Sequence, residues 1–334
     1  MTSSESILRG DRLALARLLT KVENDSPDGR ATLIELFPHT GKAHLIGVTG
    51  APGTGKSSLV NQLALHYRKA EDKRVAIVAV DPSSPFTGGA VLGDRVRMRD
   101  LSGDPNVFIR SMASRGSLGG LAQATANMVQ VFDAAGFDIV IVETVGAGQS
   151  EVDIARLAHT TLVVEAPGLG DDIQAIKAGI LEIADILVVN KADRPGVENT
   201  EKSLKSMLEL AHPTARVFKH HGTYMSVSMP EPNQNANLWI PPIQKTVSTE
   251  GKGIPELVAA IARHVQHLRS SGDWTLRERT RLEVELEALI RDSLMTRFHE
   301  NVPASQYEDV LEKVVQRNIS PWEAVRMLLN GRLK

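Results

Sequence analysis

Apolar positions along the chain fall into two textures. In residues 5–22, Ile7, Leu8, Leu13, Leu15, Leu18 and Leu19 recur among charged side chains, which predicts an amphipathic helix, and a second short helix is expected over 30–37. From residue 44 short β-rich runs alternate with helical patterns. The runs are HLIGVTG (44–50), RVAIVAVD (74–81), NVFIRSM (106–112), FDIVIVET (137–144), TTLVVEAP (160–167) and ADILVVNK (184–191). Several are apolar throughout, as strands covered on both faces are. Strand–helix alternation predicts βαβ units and a mainly parallel sheet, an α/β fold.

Residues 222–242, with four prolines and many polar side chains, read as a long loop in which Trp239 is a packing anchor, and IQKTVST (243–249) resumes a strand. After about residue 270 the β pattern stops. Leu276, Leu282, Leu286, Leu289, Ile290, Leu294 and Phe298 sit at helical spacing over 275–299. Pro303 separates this helix from one around 305–317, and Ser320-Pro321-Trp322-Glu323 forms a capping box that opens a last helix to about 329. Such helices bury little alone, so they are expected to cover the main domain or a second copy. The expected organisation is a helical arm over 1–43, a nucleotide-binding domain over 44–268 and a C-terminal helical arm over 269–334.

Composition narrows the chemistry. With 334 residues, 42% apolar and 23% charged, the chain fits an ordinary soluble protein, and 38 Lys plus Arg against 40 Asp plus Glu leave a formal charge of −2. No basic surface for nucleic acid or an anionic membrane is implied. There is no cysteine, so disulfides, thiolate metal sites and cysteine nucleophiles are excluded. The apolar runs are too short for a membrane span, and no signal-peptide core opens the chain, so a cytoplasmic location is expected.

GAPGTGKS at 50–57 fits G-x-x-x-x-G-K-[ST], follows a strand and precedes a helix pattern. Gly50, Gly53 and Gly55 allow the backbone of Ala51, Pro52, Thr54 and their neighbours to turn amides inward as a nest for phosphate oxygens, at the N-terminus of a helix beginning with Lys56, Ser57 and Ser58. Lys56 is expected to reach the β- and γ-phosphates, and the Ser57 hydroxyl to ligate Mg²⁺. Further on, NKAD (190–193) closes a strand. An Asp at 193 can accept from guanine N1–H and its exocyclic amine, Lys191 can lie over the base, and Asn190 can tie this loop to the phosphate loop. Adenine offers no such donor pair. Ser248, Thr249 and Glu250 are placed to offer a backbone N–H to the guanine O6.

Phosphoryl transfer also needs a held metal, a held water and charge stabilisation. Asp81, Asp94 and Glu143 are the acids suitably placed, and Gly146 in ETVG can present its N–H to a γ-phosphate. For Asp94 a helix-cap role competes with metal binding. No glutamine directly follows ETVG, and Gln149 is not assigned to the water. Asp171, Gln174 and Lys177 read equally as the start of a solvated helix.

Together VTGAPGTGKSSL, AVDPSSPFTGGAVLGDRVRM, FIRSMASRGSLGGL, ETVGAGQSEVD, GDDIQAIKAGILEIADILVVNKAD and TVSTEGKGIPEL resemble the MeaB/ArgK group of GTPases, from about residue 10 to the C-terminus. The resemblance implies a GTPase that chaperones an adenosylcobalamin-dependent acyl-CoA mutase, gating cofactor delivery, protecting the mutase and expelling damaged cofactor. It implies Mg²⁺ and switch roles for Asp81, Asp94 and Glu143, and a partner-sensing switch around Asp171, Gln174 and Lys177. It further implies a homodimer formed through C-terminal helices. Three alternatives stand beside it: an ATP-dependent kinase of a transport system, a nickel-type metallochaperone GTPase, and a module holding GTP as a structural ligand. NKAD opposes the first, and the absence of cysteine opposes the second.

Overall fold

The computed structural model describes residues 2–82, 98–101, 103–114, 120–144, 150–168, 183–211, 216–220, 223–227 and 238–329. Within these the chain divides into two compact units, residues 1–281 and 282–334.

The first unit is built on seven parallel strands. They are β1 (His44–Thr49), β2 (Val75–Pro82), β3 (Val107–Ser114), β4 (Ile139–Thr144), β5 (Thr160–Glu165), β6 (Ile186–Val189) and β9 (Ile243–Lys245), in the order β3-β2-β4-β1-β5-β6-β9. Strands β1, β4, β5 and β6 are buried along nearly their whole length, which accounts for their unbroken apolar runs. One face is covered by α4 (Lys56–Glu71) and α8 (Ile254–Ser271), with Ile46, Val48, Leu59, Leu63, Ile141 and Leu257 in a common core. The other face meets α5 (Gly120–Ala134), α6 (Ser150–Leu157) and α7 (Val197–Ala211).

The N-terminal pattern forms two helices rather than one through 5–22: α1 (Ser3–Leu8) and α2 (Arg12–Glu23). Gly10 takes a left-handed φ of +85°, and Asp11 caps α2 by accepting from the N–H groups of Leu13 and Ala14. The next helix, α3 (Pro27–Leu36), starts at a Ser26 cap with Pro27 in its first turn. Ile7, Leu15, Leu18, Leu19, Leu33 and Leu36 join the core over α5. The expectation of an uninterrupted loop over 222–242 is corrected as well. Thr223–Val227 (β8) pairs antiparallel with Arg216–His220 (β7), because Thr, Tyr and Val there outweigh the prolines that follow. The strand expected over 243–249 stops at Lys245, where the backbone turns to form the 246–253 loop. Trp239 is the anchor expected: its indole N–H donates to the Asp185 carbonyl at 2.8 Å, and its ring meets His264 and His267.

Helix α9 (Asp273–Asn301) runs across the boundary between the two units and has no buried residue. In the second unit, α10 (Ala304–Val315) and α11 (Pro321–Leu329) bury Val302, Val310, Ala324 and Leu328 together. The capping box forms as expected: Glu323 N–H donates to Ser320 Oγ, and Ser320 N–H to the Glu323 carboxylate.

Candidate functional site

The site gathers at the carboxyl ends of β1, β4, β6 and β9, where an open parallel sheet places its loops. Residues 50–55 join β1 to α4, and left-handed φ angles at Gly50, Gly53 and Gly55 (+136°, +82° and +91°) bend the backbone into a loop. Two of these glycines are also demanded by space. A Cβ at Gly50 would lie 2.1 Å from the Val164 carbonyl oxygen, and one at Gly55 would lie 2.6 Å from Asn190 Nδ2. Thr54 is fully buried and its hydroxyl donates to the Ala51 carbonyl. Lys56 is buried, and its ammonium donates to the carbonyls of Gly50 (2.7 Å) and Ala51 (3.0 Å), which holds the cation at the mouth of the loop. Ser58 is exposed in the first turn of α4.

Ser57 and Glu143 meet. The Ser57 hydroxyl donates to Glu143 Oε1 at 2.6 Å, and Glu143 is buried at the end of β4. A hydroxyl and a carboxylate side by side form a pair of hard oxygen donors, which suits Mg²⁺, an ion that keeps most of its water and needs few protein ligands. The Asp81 backbone extends β2 two positions beyond Ala79, which pairs with Glu143. Its side chain, together with Asp94, Gly146, Asp171, Gln174 and Lys177, lies outside the described residues.

Asn190 is the hub of the base-side loops. It is buried, its amide donates to the Thr54 carbonyl at 2.9 Å, and its Oδ1 accepts from Ser248 N–H (3.2 Å), Ser248 Oγ (2.7 Å) and Thr246 Oγ1 (3.1 Å). One side chain therefore fixes the phosphate loop, the 190–193 loop and the 246–249 loop to each other. Lys191 sits in the left-handed region at φ +56° and donates to the Gly53 carbonyl at 2.6 Å, laying its stem along the phosphate loop. Asp193 is exposed beside these groups. The sequence left three residues as donors to O6, and the structure separates them. Ser248 N–H is taken by Asn190, Glu250 N–H donates to the Val247 carbonyl, and Thr249 N–H remains.

Sequence reasoning missed Thr246 and the buried hydroxyl pair Thr144–Thr49, in which Thr144 Oγ1 donates to Thr49 Oγ1 at 3.1 Å. Thr49 directly precedes the phosphate-loop motif and Thr144 is the second residue of ETVG, and in-register pairing of β1 with β4 is the signal that brings them together. It also missed a polar cluster at the opposite, amino-terminal ends of the strands. There Arg277 of α9 donates two hydrogen bonds to Asp185 and one to the His159 carbonyl, each at 2.8 Å. Leu45 N–H donates to His159 Nδ1, so the ring proton sits on Nε2 and points to Glu278 Oε1 at 2.5 Å. Thr160 Oγ1 lies 2.9 Å from His44 Nε2 and 3.0 Å from His264 Nδ1. His264 Nε2 lies 3.2 Å from Asp185 Oδ1, too skewed for a full hydrogen bond yet close enough for attraction.

Burial opposes ionisation of Asp185, but His264 and Arg277 overcome it and hold the carboxyl down at about 2. Glu278 is likewise held at about 2 against burial, by the His159 hydrogen bond and the Arg281 charge. Burial, with the neighbouring His159 and His264, pushes His44 down to about 3. His159 is lowered by burial too, against the pull of Glu278.

Comparison with known proteins agrees with this geometry. The family model described as methylmalonyl-CoA mutase-associated GTPase MeaB matches residues 15–303. A protein of Pyrococcus abyssi assigned as a GTPase is 44% identical over 97% of this chain and 94% of its own length. GTPase ArgK of Escherichia coli is 34% identical over 98% and 96%. The mitochondrial methylmalonic aciduria type A homolog of Caenorhabditis elegans is 28% identical over 97% and 81%. A crystal structure described as a LAO/AO transport system kinase superposes with a TM-score of 0.67 at 28% identity, over 98% of this chain and 95% of the other. A guanine-type loop tied to a phosphate loop on a seven-stranded parallel sheet, matched along nearly its whole length, thus makes this chain a P-loop GTPase of the MeaB family.

Proposed function

We propose that the protein is a GTP-hydrolysing switch that serves an adenosylcobalamin-dependent acyl-CoA mutase as a chaperone, loading its cofactor, protecting it and helping to reactivate it. The family description, which names a methylmalonyl-CoA mutase, and the C. elegans relative named for methylmalonic aciduria support the partner. The Ser57–Glu143 hydrogen bond carries the switch, because it joins the phosphate loop to the strand end from which ETVG departs.

In this reading the N–H groups of 50–57, Pro52 excepted, cradle the phosphates, and Lys56 moves from the Gly50 and Ala51 carbonyls to the β- and γ-oxygens. Asp193 accepts from the guanine N1–H and amine, Lys191 covers the base, and Thr249 N–H meets O6. Ser57 and Glu143, with Asp81 and Asp94, hold Mg²⁺ and its water shell. The ion, when bound, neutralises charge that builds on the phosphate oxygens. Glu143 would hold a water of that ion's shell, and Gly146 N–H would bind the γ-phosphate until it leaves and frees the segment. Asp171, Gln174 and Lys177 form the surface that senses the mutase.

Residues 269–334 act as a dimerisation arm and 1–43 as an N-terminal arm. Leu282, Leu286, Leu289, Ile290 and Leu294 are all exposed on the long α9 helix, an apolar stripe suited to a second copy. Co-elution tests the partnership: the chain, loaded with a non-hydrolysable GTP analogue, should elute with an adenosylcobalamin-dependent acyl-CoA mutase, and Asp193→Ala should abolish this. A chain that never co-elutes with such mutases in any nucleotide state refutes the chaperone role. The neighbour described as a transport system kinase favours a second reading, phosphate transfer to a protein acceptor. Radiolabel from the γ-phosphate recovered on protein rather than as free phosphate would select it.

A further inference from the structure

We propose that Thr144 is a positioning residue for GTP hydrolysis, registering the end of β4, where Glu143 sits, against the strand that feeds the phosphate loop. The proposal rests on the GTPase reading above, in which the stretch that starts at Glu143 faces the terminal phosphate.

Two neighbouring residues grip the two stems of the phosphate loop from opposite faces of the sheet. Val48 pairs in register with Glu143, and Glu143 accepts from Ser57, just after the loop. One position on, Thr144 Oγ1 donates to Thr49 Oγ1, just before the loop, at 3.1 Å. Both threonines are almost completely buried, at 0% and 1% exposure, so the hydroxyl pair sits where no water competes with it. A second contact with the same strand follows ten residues later in the chain. Ile154 of α6 and Ala158, just after its end, sit on Gly47, where a Cβ would come within 2.4 Å of Ile154 Cγ2 and 3.1 Å of Ala158 Cβ. Only glycine permits the helix to lie that close. Thr144, before 145–149, and Ile154 and Ala158, after it, thus all meet β1, the first through its hydroxyl and the others at the bare backbone of Gly47.

This arrangement separates nucleotide binding from turnover. The loop amides and the base-side loops make no hydrogen bond to the Thr144 hydroxyl, whereas the end of β4, where Glu143 sits, is held by it. Valine keeps the shape of threonine and removes only the donor. With Thr144→Val, turnover of GTP should fall about 10-fold while affinity for GDP stays within about 2-fold, since sub-ångström misplacement of a reacting-site group costs rate rather than ground-state binding. Thr144→Ser, which keeps the hydroxyl, should restore most of the rate. Gly47→Ala, acting at the other tie without touching either hydroxyl, should lower turnover in the same direction. The measurements are single-turnover GTP hydrolysis and GDP titration calorimetry on the full chain. Wild-type turnover in Thr144→Val overturns the proposal. So does a parallel loss of GDP affinity, which would mark the pair as structural support for the whole loop. A wild-type chain without any GTP turnover would instead refute the GTPase reading on which the proposal stands.

Discussion

In the proposed reading, position 193 decides which base the site reads. A carboxylate there accepts from two donors on guanine, and replacing it by the amide Asp193→Asn turns half of that acceptor into a donor. Guanine then faces an amine opposed to an amine, while xanthine, with a carbonyl at that ring position, gains a partner. Affinity for GDP should drop about 100-fold, the loss of a charge-assisted hydrogen bond and the orphaning of its partner, and affinity for XDP should rise. Competition against a fluorescent nucleotide measures both. This part of the site was legible in the sequence because its chemistry is local: a phosphate loop and NKAD each work through consecutive residues, and the glycines announce their own backbone angles. That the N–H groups of Ser248 and Glu250 are engaged within the protein was not legible. For Ser248 it depends on Asn190 reaching across to occupy the N–H, a contact between loops far apart in sequence.

Among the elements, α9 is tied to the sheet by a cluster whose members come from β1, β5, the start of β6, α8 and α9 itself. No sequence pattern revealed it, because His44, His159, Asp185 and Arg277 meet only once parallel register stacks the strand starts beside one another. The same register explains why the strands themselves could be read early, since two-sided burial writes itself as continuous apolar runs. The 216–227 hairpin escaped because its prolines lie beyond it, outside the paired residues. Arg277→Leu leaves the Asp185 carboxylate with only partial compensation, and as Arg277 is partly exposed it should cost about 2 kcal/mol of unfolding free energy, read by denaturant titration.

Acid should loosen the same cluster. His44 and His159 are lowered in the folded chain, so the unfolded chain takes up protons first. Stability is full above pH 6.5 and declines as pH falls below it, by about 1–2 kcal/mol for His44 at pH 5. Asp185 and Glu278, held at about 2, add a second loss as pH falls from about 4.5 towards 2. Protonating His159 also sets a second N–H against that of Leu45 at the start of β1. Melting curves recorded between pH 7.5 and 4 check this, and a flat profile from pH 7 to 5 would contradict it.

At the scale of the whole molecule, the 1–281 unit carries the nucleotide site and the chain from Leu282 carries exposed apolar side chains. Cutting after Arg281 rather than at residue 269 keeps Arg277 and Glu278 with their partners. A chain ending there should bind GDP like the intact protein and run as a monomer in size-exclusion chromatography with light scattering. Retained dimer would refute the arm. The central claim is that nucleotide turnover answers to a mutase. Its direct test is the steady-state rate of GTP hydrolysis by the chain alone and with a stoichiometric adenosylcobalamin-dependent acyl-CoA mutase. A slow rate alone, raised about 10-fold or more by the mutase as its contact orders the switch residues, is the predicted result. A rate that is the same with and without every such mutase would contradict the account.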